Sequence, residues 1–250
     1  MSNIPHTAMV LAAGLGTRMR PLTDATAKPL IKVGDKALID HLLDPLVEAG
    51  VTRAIVNVFW CADLVEAHVK ARNDIEIIVS DERNGALETG GALAQARPLL
   101  GDDAVFVVNT DAFWGSGGAT PLLELAAAFD PDKMDALLLL ADKERCLGFP
   151  GAGDFFRDAT GKLKRRGDAI SAPWAYAGVR ITKPDLYDDQ PAEPFSALKI
   201  WEPLLAHGRL IGHPLDDFWL HVGTPEALAC LLYTSPSPRD QRGSRMPSSA

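Results

Sequence analysis

The chain has 250 residues, enough for one large α/β domain or two small ones. Its formal net charge of −8 argues against a nucleic-acid partner, and 47% apolar with 23% charged residues excludes a disordered or collagen-like chain. No apolar run reaches the ~18 residues of a membrane span and no leader-like segment opens the chain, so the expectation is a cytoplasmic protein without a membrane partner. The cysteines, Cys61, Cys146 and Cys230, are scattered and odd in number, against a structural disulfide or a zinc site.

Short β-rich runs alternate with helical spacing along the first 140 residues. Thr7 to Ala12, Ala54 to Val58, Ile75 to Ser80, Ala104 to Asn109 and Ala136 to Leu140 read as buried strands. Leu38 to Ala49, Ala62 to Ala71, Gly91 to Arg97 and Pro121 to Phe129 read as the helices between them. In the first helix Asp40, Asp44 and Glu48 share one face, and Leu42, Leu43, Leu46 and Val47 the other. Such alternation implies a Rossmann-like, mainly parallel sheet flanked by helices, with its site at the carboxyl ends of the strands. From Gly148 to about Ile181, Gly, Pro and Asp punctuate short segments, which reads as a small β-hairpin insertion whose last strand is Trp174 to Ile181. Ala197 to His207 reads as a short helix, Leu210 to Pro214 and Phe218 to Val222 as strands, and a last helix opens at Thr224. Residues 230–250 carry five serines and three prolines and break that helix; Tyr-Thr-Ser-Pro-Ser-Pro-Arg-Asp resembles translated adaptor sequence. The expected organisation is a working domain over 1–229 and a disordered, appended tail over 230–250.

The stretch Val10 to Val33 carries most of the chemistry. An apolar run ends in Leu11, Ala12 and Ala13 and breaks into a loop with Gly14, Gly16 and Thr17, followed by Arg18, Arg20 and Lys28. Glycines at a strand end let backbone N–H groups approach phosphate oxygens, and the cations add full charges to the same corner. The dinucleotide fingerprint fails because Met19 stands at its third glycine, and the P-loop fails because neither glycine precedes a lysine. The residues match Leu-x-x-Gly-x-Gly-x-Arg-(Leu/Met)-x-Pro-Leu-Thr followed by Pro-Lys-Pro-(Leu/Met), with Leu11, Gly14, Gly16, Arg18, Met19, Pro21, Leu22, Thr23, Lys28, Pro29 and Leu30 in order. Only the proline before the lysine differs, and Ala27 replaces it. The pattern resembles the sugar-1-phosphate nucleotidyltransferases. The resemblance runs from residue 7 to about 229.

That resemblance implies attack of a sugar 1-phosphate oxygen on the α-phosphorus of a nucleoside triphosphate, with pyrophosphate leaving. It assigns the leaving phosphates to Arg18, the α-phosphate and sugar phosphate to Lys28, and Mg2+ to Asp111, which ends Val105-Phe-Val-Val-Asn-Thr-Asp. Leu11, Ala12, Ala13, Gly14, Gly16, Thr17, Arg18 and Asn109 would bind the nucleotide, Asn109 at the loop or a ribose hydroxyl. Glu88, Thr89, Gly90 and Gly91 would lie against base and sugar, and Asp154 and Gly178 fall where sugar contacts are expected. The family's second metal ligand lies in Trp-x-Asp-x-Gly-Thr, and here His221 replaces that aspartate. A single metal on Asp111, recruitment of Asp216 or Asp217, and loss of activity stay open, with Mn2+ as an alternative ion for the imidazole. The short length and the Leu87-Glu-Thr-Gly-Gly loop resemble the N-acetylmuramate-1-phosphate uridylyltransferases, which implies UTP as donor. Mannose-1-phosphate guanylyltransferase, glucose-1-phosphate thymidylyltransferase, a silent nucleotide-sugar-binding subunit and a phosphocholine cytidylyltransferase-like enzyme are the alternatives. The last needs an aromatic box, for which Trp60, Trp114, Trp174 and Tyr176 are the candidates.

Overall fold

Residues 4–234 are described by the computed structural model. In chain order, β1 (Thr7–Leu11) leads into the glycine loop, a hairpin of β2 (Lys32–Val33) and β3 (Lys36–Ala37), and helix α1 (Asp40–Glu48). β4 (Arg53–Val58), α2 (Ala62–Lys70), β5 (Glu76–Asp81), α3 (Glu88–Leu100) and β6 (Val105–Asn109) continue the alternation. There follow β7 (Ala112–Trp114), α4 (Thr120–Ala128), β8 (Ala136–Asp142), β9 (Cys146–Leu147), β10 (Phe155–Arg157), β11 (Leu163–Arg165) and β12 (Trp174–Thr182). α5 (Leu198–Ala206), β13 (Leu210–Pro214), β14 (Trp219–His221) and α6 (Pro225–Thr234) complete it.

The main sheet runs β11-β10-β12-β6-β1-β4-β5, with β8 pairing β12 on one side and β13 on the other. Its half β6-β1-β4-β5 is parallel, as the alternation implies, and these strands are apolar on both faces because helices cover both. β12 runs antiparallel to both β6 and β8, which makes the whole sheet mixed. One face packs under α1, α2 and α4 through Leu42, Leu46, Val65, Val69 and Leu122. The other packs under α3 and α5 through Leu93, Ala96, Ile200 and Trp201. Each fully buried leucine contributes about 2 kcal/mol. The polar face of α1 is also engaged, since Arg72 binds Asp40 and Asp44 at 3.1 and 2.8 Å.

Three boundaries depart from the sequence reading. α3 begins at Glu88 and not at Gly91, so Gly90 joins Gly91 in its first turn instead of lying in a loop before it. A second, three-stranded sheet of β7, β14 and β9 stands beside the main one, and strands of two or three residues give no periodicity to read. α6 continues through Cys230 to Thr234 instead of breaking there, with the Thr224 hydroxyl accepting the Ala227 N–H at its start. The rest of the expected tail, 235–250, lies outside the described residues.

Candidate active site

The carboxyl ends of β1, β4, β5 and β6 converge on a cleft of about 400 Å3. Leu11, Ala13, Gly14, Gly16, Thr17 and Arg18 line one side, Asn109 and Asp111 the floor, and Glu88 and Thr89 the opposite side. Gly16 has φ 61°, and a Cβ there would stand 2.9 Å from Thr23 Cγ2 and 3.1 Å from Lys28 Cβ. Only glycine fits that turn. The Thr23 hydroxyl donates to the Gly16 carbonyl at 2.9 Å and holds the turn closed. Nothing lies within 4 Å of a Cβ position at Gly14, which leaves its backbone open to an approaching ligand.

Lys28 is buried at 9% exposure and its Nζ lies 2.8 Å from Oδ2 of Asp111, on the far side of the cleft floor. Burial pushes the Asp111 carboxyl upward, but Lys28, the imidazolium that His221 becomes in the acid range where a carboxyl titrates, and Arg18 outweigh it and hold the group below its usual range. Arg18 is exposed and, among the described residues, forms no salt bridge, so its charge is available to an anion. His221 reaches the same centre from β14, with Nε2 3.8 Å from Asp111 Oδ2. Burial lowers the imidazole's pKa, which keeps it neutral near pH 7. The Val222 N–H donates to the Asp111 carbonyl at 2.8 Å and locks the two segments together. The oxygen and nitrogen donors of Asp111 and His221 can share one divalent cation, with phosphate oxygens and water completing its shell. Among the described residues no group of three or more His, Cys, Asp or Glu could hold a metal, so the protein alone supplies an open, incomplete seat.

Not every expected residue reaches the cleft. The N–H of Ala12 is taken by Asn57 Oδ1 at 2.7 Å, and its side chain belongs to the core. Gly90 and Gly91 both donate to the Phe195 carbonyl, and a Cβ would stand 2.3 Å from the Phe195 ring at Gly90 and 2.1 Å from the Glu193 carbonyl at Gly91. These glycines serve close packing of α3 on the 193–197 segment, not a flat ligand ring. Thr89 lines the cleft and also accepts the Ala197 N–H at 2.9 Å. Asp154 accepts the Tyr176 N–H at 2.9 Å, a strand-joining role away from the lining. Gly178 sits behind the floor, where a Cβ would be 3.3 Å from Asn109 Cβ and 3.5 Å from Ala112 Cβ. Asn109 is at the floor, and its buried Oδ1 has no hydrogen-bond partner among the described residues. Asp217 binds the Ser116 N–H and Asp216 binds Arg145, which removes the two candidate replacements for His221. The aromatic candidates are spent elsewhere: Trp60 donates to the Thr23 carbonyl, Trp114 to that of Gly118, and Tyr176 packs edge-on against Trp201.

Asn57 escapes the sequence reading, and Glu82, which strand alternation places on the rim with Ser80, has no role in it. Asn57 and Glu82 are buried at 3% exposure, and Asn57 Nδ2 donates to Glu82 Oε1 at 2.7 Å. Glu82 Oε2 accepts the Leu87 N–H at 3.0 Å, so a relay of side chains ties the start of the glycine loop to the start of α3. Burial raises the Glu82 carboxyl, against the hydrogen bonds it accepts. The signal was present as a polar residue ending an apolar run, Ala54-Ile-Val-Asn57 and Ile77-Ile-Val-Ser-Asp-Glu82, at the rim where strand ends meet.

Residues 7–149 match the nucleotidyl transferase family. N-acetylmuramate alpha-1-phosphate uridylyltransferase of Caulobacter vibrioides is 48% identical over 231 residues, 91% of this chain and 96% of the relative. The protein of the same name from Neisseria meningitidis serogroup B is 33% identical over 87% of this chain and 93% of its own length. The inositol-1-phosphate CTP transferase of T. maritima superposes with a TM-score of 0.75 at 16% identity, covering 94% of this chain and 99% of that one. HddC from Yersinia pseudotuberculosis gives 0.72 at 20% identity, over 91% and 98%. These two likenesses place the fold among the nucleotide-sugar folds.

Proposed function

The chain belongs to the nucleotidyl transferase family, and we propose from that premise that it moves a uridylyl group from UTP to N-acetylmuramate 1-phosphate. The observation that carries the reading is the Lys28–Asp111 contact of 2.8 Å on the floor of a cleft walled by the Gly14–Arg18 loop. The likeness to two uridylyltransferases over nearly the whole length supports the substrate pair. Glu82 adds to it, because a carboxylate on that wall can accept the imide N–H of uracil, which cytosine lacks at its ring nitrogen. Turnover in the cytoplasm, in the recycling of cell-wall sugars, is part of the same proposal. Catalysis is assigned wholly to residues 1–229.

The reaction forms one P–O bond from the sugar phosphate and breaks the bond between the α-phosphorus and the bridging oxygen to pyrophosphate. Two anions must approach, so positioning and charge neutralisation do the work and no side-chain nucleophile is needed. Open backbone at Gly14 lets the loop close on the phosphates. Arg18, without an ion pair among the described residues, neutralises the charge that grows on leaving pyrophosphate. Lys28, aimed across the floor, holds the α-phosphate beside the incoming sugar phosphate. A divalent cation, when bound at Asp111, would supply Lewis-acid stabilisation of the same charge.

The test is pyrophosphate release across UTP, GTP, dTTP and CTP against N-acetylmuramate, mannose, glucose and N-acetylglucosamine 1-phosphates. The expected result is one clear signal with UTP and N-acetylmuramate 1-phosphate, and a loss of roughly 10²–10³-fold in kcat in Lys28→Met, the scale of one lost charge-stabilising donor. Nucleotide binding without release in any combination would overturn the reading in favour of a silent binding subunit.

A further inference from the structure

The imidazole of His221 is held in a way that nucleotide positioning alone does not require. Its Nδ1 lies 3.3 Å from the Gly148 carbonyl oxygen, which favours the proton on Nδ1 and leaves the Nε2 lone pair unclaimed. Nε2 stands 3.8 Å from Asp111 Oδ2, closer than two metal–ligand bonds of about 2.0–2.2 Å laid end to end. A ring nitrogen that ligates a metal usually has its other N–H donated to a carbonyl or carboxylate, and Gly148 fills that role. The ring is seated by Phe149, edge-on at 5.8 Å, and by Trp219 at 5.4 Å. Gly223 gives it room, since a Cβ there would stand 2.6 Å from His221 Cε1. Gly223 and Asp111 both line the cleft, and His221 stands beside them.

We infer that Asp111 and His221 form a mixed carboxylate–imidazole seat that selects a first-row transition ion, with Mn2+ as its accessible example, over Mg2+. Mg2+ demands oxygen ligands in near-ideal octahedral geometry, whereas transition ions accept imidazole nitrogen beside oxygen. Lys28 already engages Asp111 Oδ2, so the seat carries little net negative charge and depends on triphosphate oxygens to complete it. The inference therefore rests on the nucleotidyl-transfer reading, and its test must separate the two.

The test is pulsed EPR of the whole protein with Mn2+ and α,β-methylene UTP, together with calorimetric binding of that analogue in Mn2+ and in Mg2+. The expected spectrum shows coupling to a directly coordinated imidazole nitrogen that changes isotope in protein labelled with 15N-histidine and disappears in His221→Asp. Binding is expected to be roughly tenfold tighter with Mn2+ than with Mg2+, a ratio that falls to about threefold or less in His221→Asp. The labelled wild-type protein keeps the test valid if the variant does not fold. Analogue bound with Mn2+ but without histidine nitrogen coupling, or bound equally with both ions, overturns the inference alone. No binding with either ion overturns it together with the functional reading.

Discussion

Replacing Asn57 by aspartate changes one atom and puts a carboxylate oxygen where an amide nitrogen now donates to Glu82 across 2.7 Å. The Ala12 N–H keeps its acceptor, so the glycine loop loses no hydrogen bond. Two carboxylate oxygens cannot remain in contact while both groups are ionised, and the buried pair must take up one proton. That proton is bound in the folded state and not in the unfolded one, whose carboxyls titrate near pH 4. More protons bound when folded means stability falls as pH rises, by about 1.4 kcal/mol per pH unit above the unfolded pKa. Relative to wild type, the variant is therefore expected to lose about 4 kcal/mol between pH 5 and pH 8. Urea unfolding followed by tryptophan fluorescence at each pH measures this directly. A difference between variant and wild type that stays flat across that range would refute the tight, dry relay.

Two further outcomes follow from the ion pairs. Asp135 is held down to about 2, first by its hydrogen bond from Arg209, against burial, and then by Lys183. A depressed carboxyl stabilises the fold above its unfolded pKa and loses that contribution as pH falls through the folded one, so Asp135→Asn is expected to cost about 1–2 kcal/mol at pH 6 after allowance for the part-exposed partners. The difference from wild type should shrink below about pH 4 and be mostly lost by about pH 2, and thermal melts of both proteins from pH 6 down to pH 2 check it. Arg180 is 1% exposed, and its Nε and Nη2 have no hydrogen-bond partner among the described residues; Tyr176 Oη, at 3.1 Å from Nη1, the nearby Tyr187 phenol and the face of Trp201 attend it. An isolated buried cation costs more than those contacts return, so Arg180→Met is expected to raise the melting temperature by roughly 2–4 °C, and a fall of that size would count against the argument.

The parallel half of the fold was legible because β1, β4 and β6 are runs such as Thr7-Ala-Met-Val-Leu11 that satisfy burial on both faces, and α1 alternates charge and leucine at helical spacing. The Gly14–Lys28 side of the site was legible for a related reason: glycine at φ 61° and a lysine beside it are local demands. Contacts between distant segments were not. Gly90 and Gly91 look like ligand glycines until Phe195 is seen against them, more than a hundred residues along. Asp154 has the chemistry of a sugar contact, but its carboxylate is spent on the Tyr176 N–H. Asn57 and Glu82 read as ordinary strand-end residues until their side chains are found bonded to each other.

Asp111 and His221 meet because β7 and β14 pair, with Ala112 opposite His221 and the Val222 N–H on the Asp111 carbonyl. The join spans more than a hundred residues of chain, and such a contact forms only after the entropy of closing that long loop has been overcome. During synthesis, the glycine turn at Gly14 and Gly16 emerges well before the strand that brings His221 to Asp111. A chain that stops before β14 is therefore expected to keep β1 and its glycine turn but to lack the Asp111–His221 contact.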